Sequence, residues 1–250
     1  MSNFLLPAAT LWQRELLRFW RQKSRVLGVV AFPLVFWLVI GSGSNDLARY
    51  YSGALVLTVM FSAIFSTISI IEDRREGFLL SMLVSPAPRI SMVLGKILGS
   101  ATLAWIQGML FLIFAPLAGV LVGPVELLLV AVAIFLISFT LTALGFAIAW
   151  KMESTSGFHA IMNLLLVPMW MVSGALFPMA TAHGWVKAVM WVNPLTYSIS
   201  LLDHVLKLPN AGGGSAPGAM ASLAVTAAFG LVLLLASAVM AAQKSTRSAA

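Results

Sequence analysis

The chain contains no cysteine. That excludes a disulfide framework, a thiolate metal site and a cysteine nucleophile. Charge is also scarce: Asp, Glu, Lys and Arg make up 9% of the residues, where a soluble domain carries about 25%. No ionisable side chain falls in the middle of any long apolar run; Glu126, Lys96 and Lys151 sit at run ends. Carriers driven by protons or sodium keep ionisable groups at mid-membrane, where they are costly unless used, so their absence weighs against a secondary carrier. The three histidines, His159, His183 and His204, have no ligand spacing with a carboxylate that would hold a metal. The Gly95-Lys96 pair is followed by Ile97, and Ile90 stands where a phosphate-binding loop needs glycine, so the chain carries no nucleotide-hydrolysing loop. Ser200, Asp203 and His204 are neighbours in sequence, but triads are made in space, and Met171 spoils the Gly-x-Ser-Gly pattern at Ser173-Gly174. Enzymatic readings are therefore disfavoured.

What remains is apolar. Hydrophobic residues supply 60% of the chain and the mean hydropathy is +0.99, values of a polytopic all-α membrane protein. Six spans are expected, at about residues 26–43 (with Pro33 as a kink), 50–71, 97–121, 127–150, 157–177 (interrupted at Pro168) and 220–242. The first is read as a retained span, because its long charged lead-in is itself amphipathic and further spans follow. The net charge of +7 belongs to the loops rather than to nucleic-acid binding. With the N-terminus inside, 12 of the 15 Lys and Arg residues face the cytoplasm, leaving Arg49, Lys187 and Lys207 outside, while the acids split 5 to 3. Basic residues alone carry the bias, so both termini are expected in the cytoplasm.

Residues 10–25 form an amphipathic interface helix. Trp12, Leu16, Phe19 and Trp20 share one face, and Arg14, Arg18, Arg21 and Arg25 form a stripe opposite, suited to an anionic leaflet of membrane lipids and to a cytoplasmic partner. Residues 72–90 form a cytoplasmic loop. Glu72, Asp73, Arg74, Arg75 and Glu76 stop the second span in water, and an apolar patch, Phe78 to Val84, follows. Seven helical residues reach about 10 Å, against a hydrocarbon core of about 30 Å, so this patch cannot span and must be buried by something else. Gly77 lets the chain turn into the patch, Pro86 ends its helix, and Arg89 and Lys96 anchor the next entry into lipid. Residues 178–210 are too apolar for a solvated loop and are broken at Asn193-Pro194, which predicts two short re-entrant helices on the outer side, with Trp185 and Trp191 at the interface. Thr58, Ser62, Ser66 and Ser69 share a face of the second span and serve either close packing or a polar route. Gly95-x-x-x-Gly99 on the third span is a packing signal.

Together these features resemble the permease subunit of an ABC-2 type transporter. The loop EDRREGFLLSMLVSPAPR with its following LGK is similar to the family's Glu/Asp-Arg-x-x-Gly, Leu-x-x-Pro-x-x-Arg and Gly-Lys signature, and Trp191-x-Asn193-Pro194-Leu195-Thr196-Tyr197 is a second match. Where many members have Thr and Glu, this chain has Phe78 and Leu80, a form similar to the drug-resistance and nodulation-type exporter branch. The resemblance covers nearly the whole chain and implies one ABC-2 type transmembrane domain over residues 1–250. It implies an exporter of amphipathic, drug-like or lipid-linked molecules in the cytoplasmic (inner) membrane, built as a dimer of permeases on two separate ABC ATPase subunits. ATP and Mg would bind those subunits, and this chain would hold no cofactor. The residues it implies for ATPase coupling are Arg74, Arg75, Gly77, Phe78, Leu83, Pro86 and Arg89, with the interface helix transmitting the same motion. Substrate would pass between the two copies, bordered by the first, second and fifth spans. A secondary carrier and a non-transporting assembly factor are the competing classes, separated from this one by whether an ATPase co-purifies.

Overall fold

A computed structural model describes residues 2–20, 23–84, 88–209 and 216–247. Among them there is no strand. The helices in order are α1 (Ser2–Trp20), α2 (Lys23–Gly43), α3 (Leu47–Thr67), α4 (Ser69–Arg75), α5 (Phe78–Val84), α6 (Arg89–Phe111), α7 (Pro124–Ala149), α8 (Thr155–Trp170), α9 (Gly184–Val192), α10 (Pro194–Val205) and α11 (Ala219–Arg247). A 3₁₀ turn, Leu112–Ala118, extends α6, and a π-helical segment, Met171–Ala175, extends α8. Among the described residues, five segments are long and apolar enough to cross a membrane: Leu47–Arg75, Arg89–Ala118, Pro124–Ala149, Thr155–Ala175 and Ala219–Gln243. The apolar stretch Gly28–Gly43 of α2 is shorter.

The bundle is wrapped around α3, which packs against α2, α6 and α7. Without a hydrophobic drive between helices in lipid, small residues that allow backbones to approach decide which helix takes the centre. α3 supplies Ser52, Gly53, Ala54, Ser62, Ala63 and Ser66, all buried. The Trp170 indole donates to the Gly53 carbonyl at 2.8 Å, and a methyl group at Gly53 would lie 2.9 Å from the Ala175 side chain. A buried aromatic trio, Trp37, Tyr51 and Phe111, joins α2, α3 and α6. Its polar atoms are matched: Trp37 donates to the Leu47 carbonyl at 2.8 Å and Tyr51 to the Phe111 carbonyl at 3.1 Å, as burial in an apolar interior requires.

Several boundaries differ from the sequence reading. The helix of α2 continues through Pro33, as a kinked span also would, and that of α8 runs through Pro168. The irregularity after α8 falls instead at the π-helical segment, where Gly174 has φ +96, a conformation that glycine adopts without a side-chain penalty. The five-charge cluster does not end the second span in water. Helix continues as α4 to Arg75, and Asp73 is fully buried. Likewise α6 begins at Arg89, so Lys96 lies within a buried helix rather than at its flank. Two short helices, α9 and α10, do form in this segment, at Gly184–Val192 and Pro194–Val205. α10 packs on α11, α7 and the π-helical segment, and its Asn193 cap is followed by Pro194 at the first helical position, where no amide hydrogen is needed.

Candidate functional site

The charged end of the bundle is built where α1, α4 and α6 converge. α1 lies along α6 because Gly95 and Gly99 leave no side chain in the way. A methyl group at Gly95 would stand 2.6 Å from the Ala8 carbonyl oxygen, and one at Gly99 would stand 2.8 Å from the Glu15 Cβ. That approach sinks Glu15 into the bundle at 3% exposure. Lys96 donates to Glu15 at 2.6 Å, to Asp73 and to the Ser69 hydroxyl at 3.4 Å. Asp73 also receives a bidentate pair from Arg14, at 2.8 and 3.0 Å, and a bond from Arg18 at 2.9 Å. Arg18 donates its other nitrogen to Glu72 at 2.7 Å and lies 3.7 Å from Glu76. Three cations and three carboxylates thus form one network, with Glu76 at its edge. The hydrogen bond to Asp73 holds the Arg14 guanidinium above its ordinary pKa. The same guanidinium stacks 3.8 Å above the Phe78 ring.

This geometry revises the arginine stripe. Arg14 and Arg18 turn into the protein and bind α4; the large apolar residues exposed on α1, among the described side chains, are Leu5, Leu6, Trp12 and Leu17. The physical reason is Asp73. A buried carboxylate with one ammonium and two guanidinium partners is far more stable than one left unpaired, so the arginines nearest to it are drawn inward. Arg21 lies outside the described residues, as does the side chain of Arg25. The signal for the buried acid was present in the sequence, because Glu15 stands four residues from both Leu11 and Phe19, apolar residues on the same face of a helix.

The loop arginines are also engaged within the chain. Arg74 donates to the Met152 carbonyl at 2.6 Å and to the Trp150 carbonyl, and Arg75 donates to the Glu153 carbonyl at 3.1 Å. They fasten α4 to the tight turn between α7 and α8. Arg89 donates to the Ala242 and Ala241 carbonyls at 2.8 and 3.3 Å, fastening the start of α6 to α11. Gly77, at φ +75, reverses the chain between α4 and α5. On α5, Leu79 and Met82 are buried and Phe78 is half-covered beneath Arg14, while Leu80 is 65% and Val84 85% exposed. Pro86 and the Leu83 side chain lie outside the described residues. Thr58, Ser62, Ser66 and Ser69 are all buried within this one copy, and Thr58 and Ser66 bond back to carbonyls four residues earlier. The second motif is locally closed. The Asn193 side chain accepts from the Leu195 amide at 3.0 Å and donates to the Met169 carbonyl at 2.5 Å, and Tyr197 donates to the Trp191 carbonyl at 2.9 Å.

Comparison with known proteins adds to this geometry. The family model described as ABC-2 type transporter matches residues 8–206. The chain belongs to the ABC-2 type transporter family. Relatives include the protein named transport permease ycf38 of Cyanophora paradoxa, 25% identical over 210 residues that cover 78% of this chain and 72% of the relative. The ycf38 of Porphyra purpurea is 25% identical over 213 residues, with the same coverage. The linearmycin resistance permease protein LnrN of Bacillus subtilis (strain 168) is 26% identical over 167 residues, covering 66% of this chain and 43% of LnrN. The matched region of the family model takes in most of α1, the charged network, α5 and both short helices. This ABC-2 protein is a multi-pass membrane permease.

Proposed function

We propose that the chain is the permease subunit of an ATP-driven exporter, paired with a second copy and docked on separate ABC ATPase subunits that bind ATP and Mg. It moves an amphipathic, drug-like or lipid-linked molecule outward across the cytoplasmic membrane, with both termini and the loop at residues 72–90 in the cytoplasm. The observation that carries this reading is the composition of α5. A seven-residue helix with Leu80 and Val84 exposed stands on a base made rigid by buried ion pairs and by three arginines bound to carbonyls. Such a helix outside the bilayer gains from burial in a partner, at about 1.5–3 kcal/mol per large apolar side chain. Its rigid base lets a push on α5 reach α1, α6 and the α7–α8 turn together. The name of LnrN supports a drug-like cargo. A motion driven by the ATPase must favour one arrangement of the bundle through contacts that differ between states, and the network is where such contacts are concentrated.

Leu80→Ser with Val84→Ser tests this. The expected result is a permease that inserts normally but loses co-purifying ATPase, or retains it with hydrolysis no longer responsive to substrate. Parental binding and transport in that variant would place docking elsewhere. The buried Lys96, Asp73 and Glu15 favour one second reading, a carrier driven by protons. It predicts transport in vesicles that responds to a pH gradient and needs no nucleotide.

A further inference from the structure

At the end of the bundle opposite the charged network, one copy of the chain holds a cavity of about 330 Å³, a size that suits a small organic molecule. Its walls come from the start of α3, the π-helical segment, one face of α10 and Pro217 ahead of α11. α10 contributes Thr196, Ser200 and Asp203, spaced 4 and 3 residues apart so that they share a helical face. All three are buried. Asp46 and Arg49 line the cavity from α3, and Ser173 from the π-helical segment. The sequence neighbours Ser200, Asp203 and His204 are thus no triad. Ser200 and Asp203 form a wall, while Nδ1 of His204 lies 2.7 Å from the Ser200 carbonyl of its own helix.

The hydrogen-bonding sense of these walls selects a ligand. Ser200 donates its hydroxyl proton to the Pro217 carbonyl at 2.7 Å, and Ser173 donates to the Trp170 carbonyl at 2.5 Å. Both hydroxyl oxygens keep their acceptor lone pairs. The hydroxyl of Thr196, a residue only 4% exposed, makes no hydrogen bond among the described residues; a buried polar atom in that condition costs stability until a bound group meets it. Two carboxylates, Asp46 and Asp203, face one guanidinium, Arg49, so the lining carries an excess of negative charge. Quaternary ammonium groups are held by aromatic cages, and no aromatic ring is among the described residues of this lining. An ammonium with N–H bonds fits instead, its donors matched to carboxylate and hydroxyl oxygens. Arg49 supplies a planar fork for an acid group on the same molecule. We propose that this cavity binds a zwitterion with a primary ammonium and a phosphate or carboxylate, supplied either by an aminophospholipid headgroup or by a free solute. Every wall belongs to one copy, so the site stands apart from a passage between two copies. Its occupant is a resident ligand that ties α3, the π-helical segment and α10 together, and the proposal does not rest on the exporter reading.

The test uses the full chain in phosphatidylcholine nanodiscs, which leave both faces accessible and contain no ATPase. Phosphoethanolamine is titrated by isothermal calorimetry, with phosphocholine as the counterpart whose ammonium has no N–H. Saturable binding of phosphoethanolamine is expected, with phosphocholine about tenfold weaker. Asp46→Asn removes a charge yet keeps a capping oxygen at the start of α3, and should weaken binding by about tenfold. Thr196→Val, which is close to isosteric, should weaken it a few-fold. Glu126→Gln, which removes an acid at the same end but outside the cavity lining, should leave it unchanged. Nanodiscs that contain phosphatidylethanolamine then separate the sources: loss of the calorimetric signal assigns the site to the lipid headgroup, and an unchanged signal assigns it to a free solute. Equal binding of phosphocholine overturns the site. So does an unsaturable phosphoethanolamine signal, or parental affinity in both Asp46→Asn and Thr196→Val.

Discussion

The two ends of this bundle are held by different physics. At the charged end, side chains distant in sequence meet as buried ions: Arg14 with Asp73, Glu15 with Lys96, Arg18 with Glu72. At the opposite end many of the described ties are local or uncharged, although Asp203 is buried there too. Asn193 caps α10, Tyr197 bonds back to Trp191, and the Trp170 indole reaches the Gly53 carbonyl. One ion pair there, Lys207 with Glu126 at 2.8 Å, has its lysine 75% exposed. Buried charges resist independent motion of their helices, because separating them leaves each without a partner in a medium of low dielectric. Caps and single hydrogen bonds let short elements shift one at a time. The charged end is therefore suited to passing a rigid displacement from α5 into the bundle, and the opposite end to small rearrangements.

Breaking the buried network should have the largest effect. Asp73→Leu removes the carboxylate shared by Arg14, Arg18 and Lys96 and leaves those cations underpaired, a class of change that costs about 3–5 kcal/mol. The expected outcome is loss of the monodisperse peak in fluorescence-detected size exclusion of the detergent extract. A parental profile would show that the network does not hold α1 and α4 together.

Gly95→Leu attacks the same end without touching a charge. It drives a side chain into the Ala8 backbone, and overpacking of this kind costs about 1–3 kcal/mol. α1 should lift from α6, seen as faster hydrogen exchange across 8–19 with the rest of the bundle protected. Loss of protection everywhere would mean that α1 is part of the global core.

At the opposite end, Asn193→Ala removes a helix cap worth about 1 kcal/mol and the bond to Met169. Its effect should be confined to faster exchange in α9 and α10. A collapse as severe as that of Asp73→Leu would erase the contrast between the two ends. Lys207→Ala should leave thermal stability unchanged, since that ion pair is solvent-screened.

Orientation sharpens the comparison by fixing which end meets the ATPase. Single cysteines at Ser44 and Ser81 lie at opposite ends of the Leu47–Arg75 segment. An impermeant thiol reagent outside sealed cells should label position 44 and not 81. The reverse pattern would place α5 on the wrong side for an ATPase.

Sequence alone set the helices and their order. Hydrocarbon thickness fixes how long an apolar run must be, and Asn-Pro both ends one helix and starts the next, so the spans and the α9–α10 break could be read residue by residue. The left-handed turn at Gly77 was legible for the same local reason. The partners of charges could not be read this way. A helical wheel of α1 puts Arg14 and Arg18 on a polar face, and only the approach of α1 to Gly95 and Gly99 turns that face toward Asp73. Arg74, Arg75 and Arg89 were equally open to a partner protein until folding brought the carbonyls of Trp150, Met152, Glu153, Ala241 and Ala242 beside them. The four hydroxyls of α3 and α4 share a face by periodicity, yet whether that face meets another helix or a pathway depends on what packs there; here it is other helices. Local periodicity fixes which residues share a face, whereas the partner of a face is fixed by long-range packing, in which a buried ion takes the counter-ion that its neighbouring helices present.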